Sequence, residues 1–115
     1  MKAFYTLLAI SVVFASCKTL NSTTTIKPND SFLLGNNVHG SFRASLKNLS
    51  NGPVEVCQKP VDGDMVTLQT VAPNERVSVS VPRNTALVVV NKTADTANVR
   101  LKVKGDTGLS MQYRQ

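Results

Sequence analysis

Few side chains in this 115-residue sequence have the chemistry of a catalytic or metal site. His39 is the single histidine and stands between Asn37-Val38 and Gly40, at a loop or strand entrance. It could be combined with Ser41 and an aspartate as a nucleophilic triad, but no nucleophile elbow or other strong local motif supports that; the expectation is an exposed, ordinary histidine. Asp62 and Asp64 flank Gly63 at a spacing that suggests calcium ligands, yet the rest of the ligand series is missing, which leaves a hairpin turn. A blue-copper site takes two histidines and a cysteine with an axial methionine, and one histidine cannot supply it. No metal and no cofactor are expected, and the chain reads as noncatalytic. What remains is charge. Arg100, Lys102 and Lys104 alternate with Val99, Leu101 and Val103, so one face of a strand would carry three cations. Such a stripe suits lipid phosphates, lipopolysaccharide or peptidoglycan carboxylates; it suits equally a solvated strand face, or an edge strand guarded against pairing with another chain. The whole chain leans the same way, with a net charge of +6.

The two cysteines stand in very different surroundings. Cys17 follows a basic start at Lys2, an apolar run from Leu7 to Phe14, and the small residues Ala15 and Ser16. These are the parts of an export signal. The run is too short to cross a bilayer, which takes about 20 apolar residues. The same residues allow a cysteine lost with an ordinary secretory signal, or one that pairs with Cys57. The quartet Phe14-Ala15-Ser16-Cys17 resembles the lipobox of bacterial lipoprotein precursors, with Phe where that class usually has Leu. The resemblance covers the first 17 residues and says nothing of the domain behind them. It implies that residues 1–16 are removed and that the Cys17 thiol carries fatty acyl chains, which hold the protein on a membrane. Cys57 would then be alone, and its expected role is a small packed side chain.

Removing residues 1–16 leaves 99 of the 115 and takes the charge to +5 with the loss of Lys2. From Lys18 to about Asp30 the chain reads KTLNSTTTIKPND, polar and poor in apolar residues, so residues 17–30 are expected to be the lipidated cysteine and a flexible tether. Lys18-Thr19-Leu20 carries neither the acidic retention signal nor the acidic export signal known among lipoproteins. The resemblance therefore implies an outer membrane location facing the periplasm.

Residues 31–115 alternate with a period of two. Phe42, Ala44 and Leu46 alternate with Arg43, Ser45 and Lys47, and the same holds for Val54 and Val56, Val66 and Leu68, Val77 to Val81, Val99 to Val103, and Leu109, Met111 and Tyr113. Leu87–Val90 is continuously apolar, as a strand covered on both faces would be. Asn51-Gly52, Asp62-Gly63, Pro73-Asn74 and Pro82-Arg83-Asn84 mark turns, the first two by tolerance of positive φ. Two segments echo each other, with Asn48-Leu49-Ser50 and Asn91-Lys92-Thr93 each standing between strands. The reading is one turn solution used twice, the asparagine side chain bonding nearby backbone. The expected fold is a small antiparallel β-sandwich, immunoglobulin-like, of seven or eight strands, with a small β-barrel as the alternative.

The function expected is that of a lipid-anchored envelope protein acting as a noncatalytic binding or structural accessory. Its partners would be the membrane, through Cys17, and another envelope protein or an anionic glycan. Nucleic acid is excluded by export and by the lack of interleaved aromatics. The alternative is a periplasmic inhibitor or protective protein that blocks an enzyme through Asn36–Gly40 or Asp62–Asp64.

Overall fold

Every period-two stretch becomes a strand, and two further strands precede them. The structure is a computed structural model in which residues 19–114 are described; the export signal expected at 1–16 and the lipidation expected at Cys17 lie outside them. The strands are β1 (Thr19–Ile26), β2 (Asp30–Leu34), β3 (Phe42–Asn48), β4 (Val54–Pro60), β5 (Val66–Val71), β6 (Arg76–Val81), β7 (Thr85–Asn91), β8 (Ala97–Gly105) and β9 (Met111–Arg114). They form a four-stranded sheet, β1-β8-β3-β6, and a five-stranded sheet, β5-β4-β7-β2-β9.

The pairing is nested. β4 lies against β5, β3 against β6, β2 against β7 and β1 against β8, all antiparallel, so the chain is one long hairpin wrapped into two layers. The β3·β8 and β4·β7 pairings complete the sheets. This is the expected antiparallel sandwich, and two open sheets replace the barrel alternative. Its strand order is that of a jelly roll, built from two Greek keys, and not the immunoglobulin-like ABED/CFG order. Alternation tells which face of a strand is buried but is silent about its neighbours, and only the neighbours separate the two.

The tether expected at 17–30 is corrected from Thr19 onward. β1 pairs with β8 over its whole length, from Thr19 opposite Lys104 to Ile26 opposite Ala97. Its inward positions are Leu20, Ser22, Thr24 and Ile26, increasingly buried along the strand. The small hydroxyl side chains fill that face without a hydropathy signal, and β-branched threonine suits a pleated surface.

The main core lies between the sheets. Phe32, Leu34, Phe42, Leu46, Val56, Leu87, Val89, Val99 and Leu101 are among its buried members. A second, smaller cluster of Leu33, Cys57, Ala86 and Val88 occupies the other face of the five-stranded sheet. β7 is therefore apolar on both faces, as its unbroken run requires, and Cys57 is a buried free thiol. Val66, Leu68, Met111 and Tyr113, expected inside, are each at least 44% exposed. They stand on β5 and β9, the two edges of the wider sheet. Leu68 also falls at an irregularity, since Gln69 pairs with Val56 and Thr67 with Cys57.

Positive φ falls on Asn29, Asn74 and Asn84 and on Gly35 and Gly105, not at Asn51-Gly52 or Asp62-Gly63. Pro28-Asn29 and Pro73-Asn74 fill the two central positions of turns closed by Asp30 N–H to Lys27 O at 3.2 Å and Glu75 N–H to Ala72 O at 3.0 Å. Proline presets the first central position, and asparagine tolerates the left-handed second one.

The echoed corners do share one solution. Asn48 Oδ1 accepts from Ser50 N–H at 2.9 Å, while its Nδ2 donates to Gly52 O at 2.9 Å and to Val71 O at 3.0 Å. Asn91 Oδ1 accepts from Thr93 N–H at 3.0 Å, while its Nδ2 donates to Asp95 O at 2.8 Å and to Ile26 O at 3.1 Å. Both side chains have no solvent exposure. Asn91→Ala strands several buried groups, each costing about 1–3 kcal/mol when left without a partner. The variant should lose about 3 kcal/mol or more of unfolding free energy in urea, while Asn51→Ala, on an exposed turn, should stay within about 0.5 kcal/mol of the parent. Equal midpoints for the two variants would remove the corner's assigned role.

Candidate functional site: a cationic sheet face

The four-stranded sheet turns its apolar positions inward, so its outward positions form a continuous surface whose composition follows from register. Three rows cross it. Thr19, Lys104, Arg43 and Ser80 make the first; Asn21, Lys102, Ser45 and Ser78 the second; Thr23, Arg100, Lys47 and Arg76 the third. Six of these twelve residues are cationic and none is acidic. Neighbouring strands are about 4.8 Å apart and alternate residues along one strand about 6.7 Å, so the charges form a compact grid.

Several of them are directly opposed. Lys104 faces Arg43, and Lys47 faces Arg100 on one side and Arg76 on the other. Like charges directly opposite on adjacent strands are destabilising, by a few tenths to about 1 kcal/mol each. Among the described residues the recorded ion pair, Lys92 Nζ to Glu55 Oε2 at 3.2 Å, lies away from this face. A shallow groove of about 210 Å³ runs over the grid between Asn21, Ser45, Lys47, Arg76, Arg100 and Lys102. Arginine forks match carboxylate and phosphate oxygens bidentately, and the serine hydroxyls between them can donate or accept. The surface is equipped to hold an extended anionic group.

Arg100, Lys102 and Lys104, identified from alternation, therefore do share one face. The edge-guard reading of them is corrected, because β8 is an interior strand with β1 on one side and β3 on the other. Arg43, Lys47 and Arg76 double the cluster. Arg43 and Lys47 were visible as outward residues of their own strand, but nothing in the sequence places β3 beside β8 or β6 beside β3.

His39 is not the exposed residue expected. It is buried, with Nε2 2.9 Å from Thr85 O, Nδ1 against Gly40 O, and its ring tilted on Phe42 at 5.3 Å. The imidazole also lies close against Gly35, where a side chain would meet Nε2 at 3.0 Å. These partners are backbone carbonyls and an aromatic ring, so the imidazole secures the loop. Cys57 lies in the second cluster, with Sγ 3.6 Å from Thr67 Oγ1. Asp62 and Asp64 are exposed in the β4–β5 connection, where Gly63 N–H donates to Pro60 O at 3.2 Å. Among the described residues no group of three or more His, Cys, Asp or Glu side chains could hold a metal ion.

The loops Asn36–Gly40 and Asp62–Asp64 lie at the same end of the sandwich. Val38 and Val61 line one groove of about 190 Å³ with Lys59 and Asn84. Asn84 joins the two loops, its N–H donating to His39 O at 3.1 Å and its carbonyl accepting from Val61 N–H at 3.1 Å.

Neither a family model nor a curated protein matches the sequence. Among solved structures, the chain is similar to the capsular polysaccharide assembling protein CapF from Staphylococcus aureus, with a TM-score of 0.57 and 16% identity over 78% of this chain and 24% of that one. It is similar also to procruciferin, an 11S globulin from Brassica napus, with a TM-score of 0.52 and 17% identity over 82% of this chain and 22% of that one. The chain thus spans about a quarter of the length of these two proteins, and at this identity the likeness is one of fold: the chain is a jelly-roll-like β-sandwich.

Proposed function

We propose that the protein is a lipid-anchored component of the bacterial cell envelope, held through acylated Cys17 on an outer membrane and facing the periplasm. It acts as a noncatalytic binding or structural accessory whose cationic sheet face takes an anionic partner. Peptidoglycan carboxylates and the phosphates of envelope glycolipids have the required chemistry, as does an acidic face of another envelope protein. One observation carries this reading. Lys47 is placed between Arg100 and Arg76, and Lys104 opposite Arg43, with no carboxylate among the described residues of the three rows. That arrangement costs folding free energy, and an anionic ligand offsets it.

A second reading, an inhibitor that inserts its loops into an enzyme, is favoured by the exposed Val38 and Val61 on adjacent loops, 86% and 69% exposed. Recovery of a hydrolase on the immobilised protein from envelope extract would select it; recovery of glycan or assembly components selects the accessory.

The cationic face makes a double prediction. Lys47→Glu should raise unfolding free energy by about 0.5–1 kcal/mol at low salt, by meeting Arg100 and Arg76, and at the same time weaken retention on a polyanion or peptidoglycan column. A stability gain with unchanged retention would separate the face from binding. Changing Arg100, Lys102 and Lys104 together to Gln should lower the salt concentration that elutes the protein from envelope glycan, and an unchanged elution point argues against the patch. Cys17→Ala should move the protein out of the membrane fraction, and an unchanged distribution would refute the anchor.

A further inference from the structure

β1 determines where the chain leaves the sandwich. Thr19 opens it opposite Lys104, at the end that carries the β2–β3, β4–β5 and β6–β7 connections. Cys17 stands two residues earlier, with Lys18 alone between them. Two residues of chain reach at most about 7 Å. A membrane holding Cys17 is therefore brought to this end of the domain, and the expected tether has no length with which to hold it away.

The same end concentrates exposed apolar side chains on loops. Val38 is 86% exposed, Val61 69% and Met65 52%. Among the described residues no large hydrophobic side chain is exposed on the connections of the opposite end, where the Asn48 and Asn91 corners lie. Lys104 and Arg43 stand in the row that begins at Thr19, Arg83 is exposed in the β6–β7 turn, and Lys59 lines the groove between the valines. The acidic residues of this end are Asp62 and Asp64, beyond Val61, and Asp106, whose carboxylate accepts from Gly40 N–H at 2.6 Å and Gly108 N–H at 2.8 Å.

We infer that this end rests in the headgroup layer of the bilayer that holds Cys17, with Val38 and Val61 at the apolar boundary and Lys104, Arg43 and Arg83 among the lipid phosphates. The inference rests on acylation of Cys17. Short apolar loop tips flanked by cations suit the interface. The exposed acids beside Val61 tilt the domain, so that the Thr19–Val38 side lies deeper than the Asp62–Asp64 side. The rest of the cationic sheet face, with Lys102, Arg100, Lys47 and Arg76, then stands away from the bilayer, open to the periplasm, and the exposed valines belong to the membrane contact and not to an enzyme.

The test uses the full chain purified from membranes, with the mass of the Cys17 peptide read on each sample. Val38→Cys, Val61→Cys and Asn51→Cys are labelled with a polarity-sensitive fluorophore and reconstituted into phosphatidylethanolamine–phosphatidylglycerol vesicles containing spin-labelled lipid. The buried Cys57 and an acylated Cys17 leave the introduced thiol as the reactive one. Quenching should fall in the order 38, 61, 51, with the probe at 38 quenched at least twofold more than the probe at 51 and blue-shifted. Equal, water-like emission at all three positions with Cys17 acylated overturns the docking geometry alone. An unmodified Cys17 removes the anchor and the docking together. The labelled sites are exposed turns, so unchanged melting temperatures show that each variant is folded.

Discussion

A chain that leaves one sheet to enter the other must give up its ladder partners at the corner, and buried backbone groups left that way cost more than most side-chain contacts return. Two asparagines resolve this. Asn48 closes β3 where the chain crosses to the five-stranded sheet, and Asn91 closes β7 where it crosses back. Each holds its own turn through the residue two positions on, and each ties that turn to the carbonyl at the end of another strand, Val71 or Ile26. An amide suits the task because it donates and accepts at once. Asn91 reaches Lys27 O as well, at 3.1 Å, so the β1–β2 turn is held by the same side chain. The register of both sheets, and with it the placing of outward cations, depends on these corners staying closed.

Register turns a pattern into a surface. Alternation alone makes Arg100, Lys102 and Lys104 a stripe one strand wide. Antiparallel pairing of β8 with β3 and of β3 with β6 sets three further cations beside it, and the side chains between them are hydroxyls and an amide. The fold gains nothing from crowding like charges on interior strands, since β8 and β3 have no free edge to guard. Burial of valine, leucine and phenylalanine beneath the face fixes the backbone spacing of the grid, so its charges separate only by splaying their side chains into solvent.

Seven of the nine described strands were legible, six because apolar residues stood at every second position and β7 by its unbroken apolar run, with ends marked by proline, glycine or asparagine. β1 and β2 were not. β1 presents Ser22 and Thr24 to the interior and reads as a polar linker. β2 places Phe32, Leu33 and Leu34 in a row because both its faces are covered, Phe32 and Leu34 by the main core and Leu33 by the smaller cluster, so no alternation exists to be seen. Strand order was beyond the sequence for a different reason: each strand carries a record of its burial but none of its neighbour. That is why a sandwich could be expected but not its jelly-roll order, and why half of the cationic face was missed. The asparagine corners were legible, since their repetition in sequence reflected a repeated physical problem.

Nested pairing also governs the time at which the domain can exist. The ladder partner of β1 is β8, so residues near Thr19 wait for residues near Lys104 before the four-stranded sheet can close. Contacts so distant along the chain form slowly, because the loop between them must be ordered first. During synthesis the leading segment therefore has nothing to pair with until nearly the whole domain has emerged. For a polypeptide threaded through a translocation channel, as the proposed export requires, this delay keeps the chain slack and transportable, and folding begins on the far side.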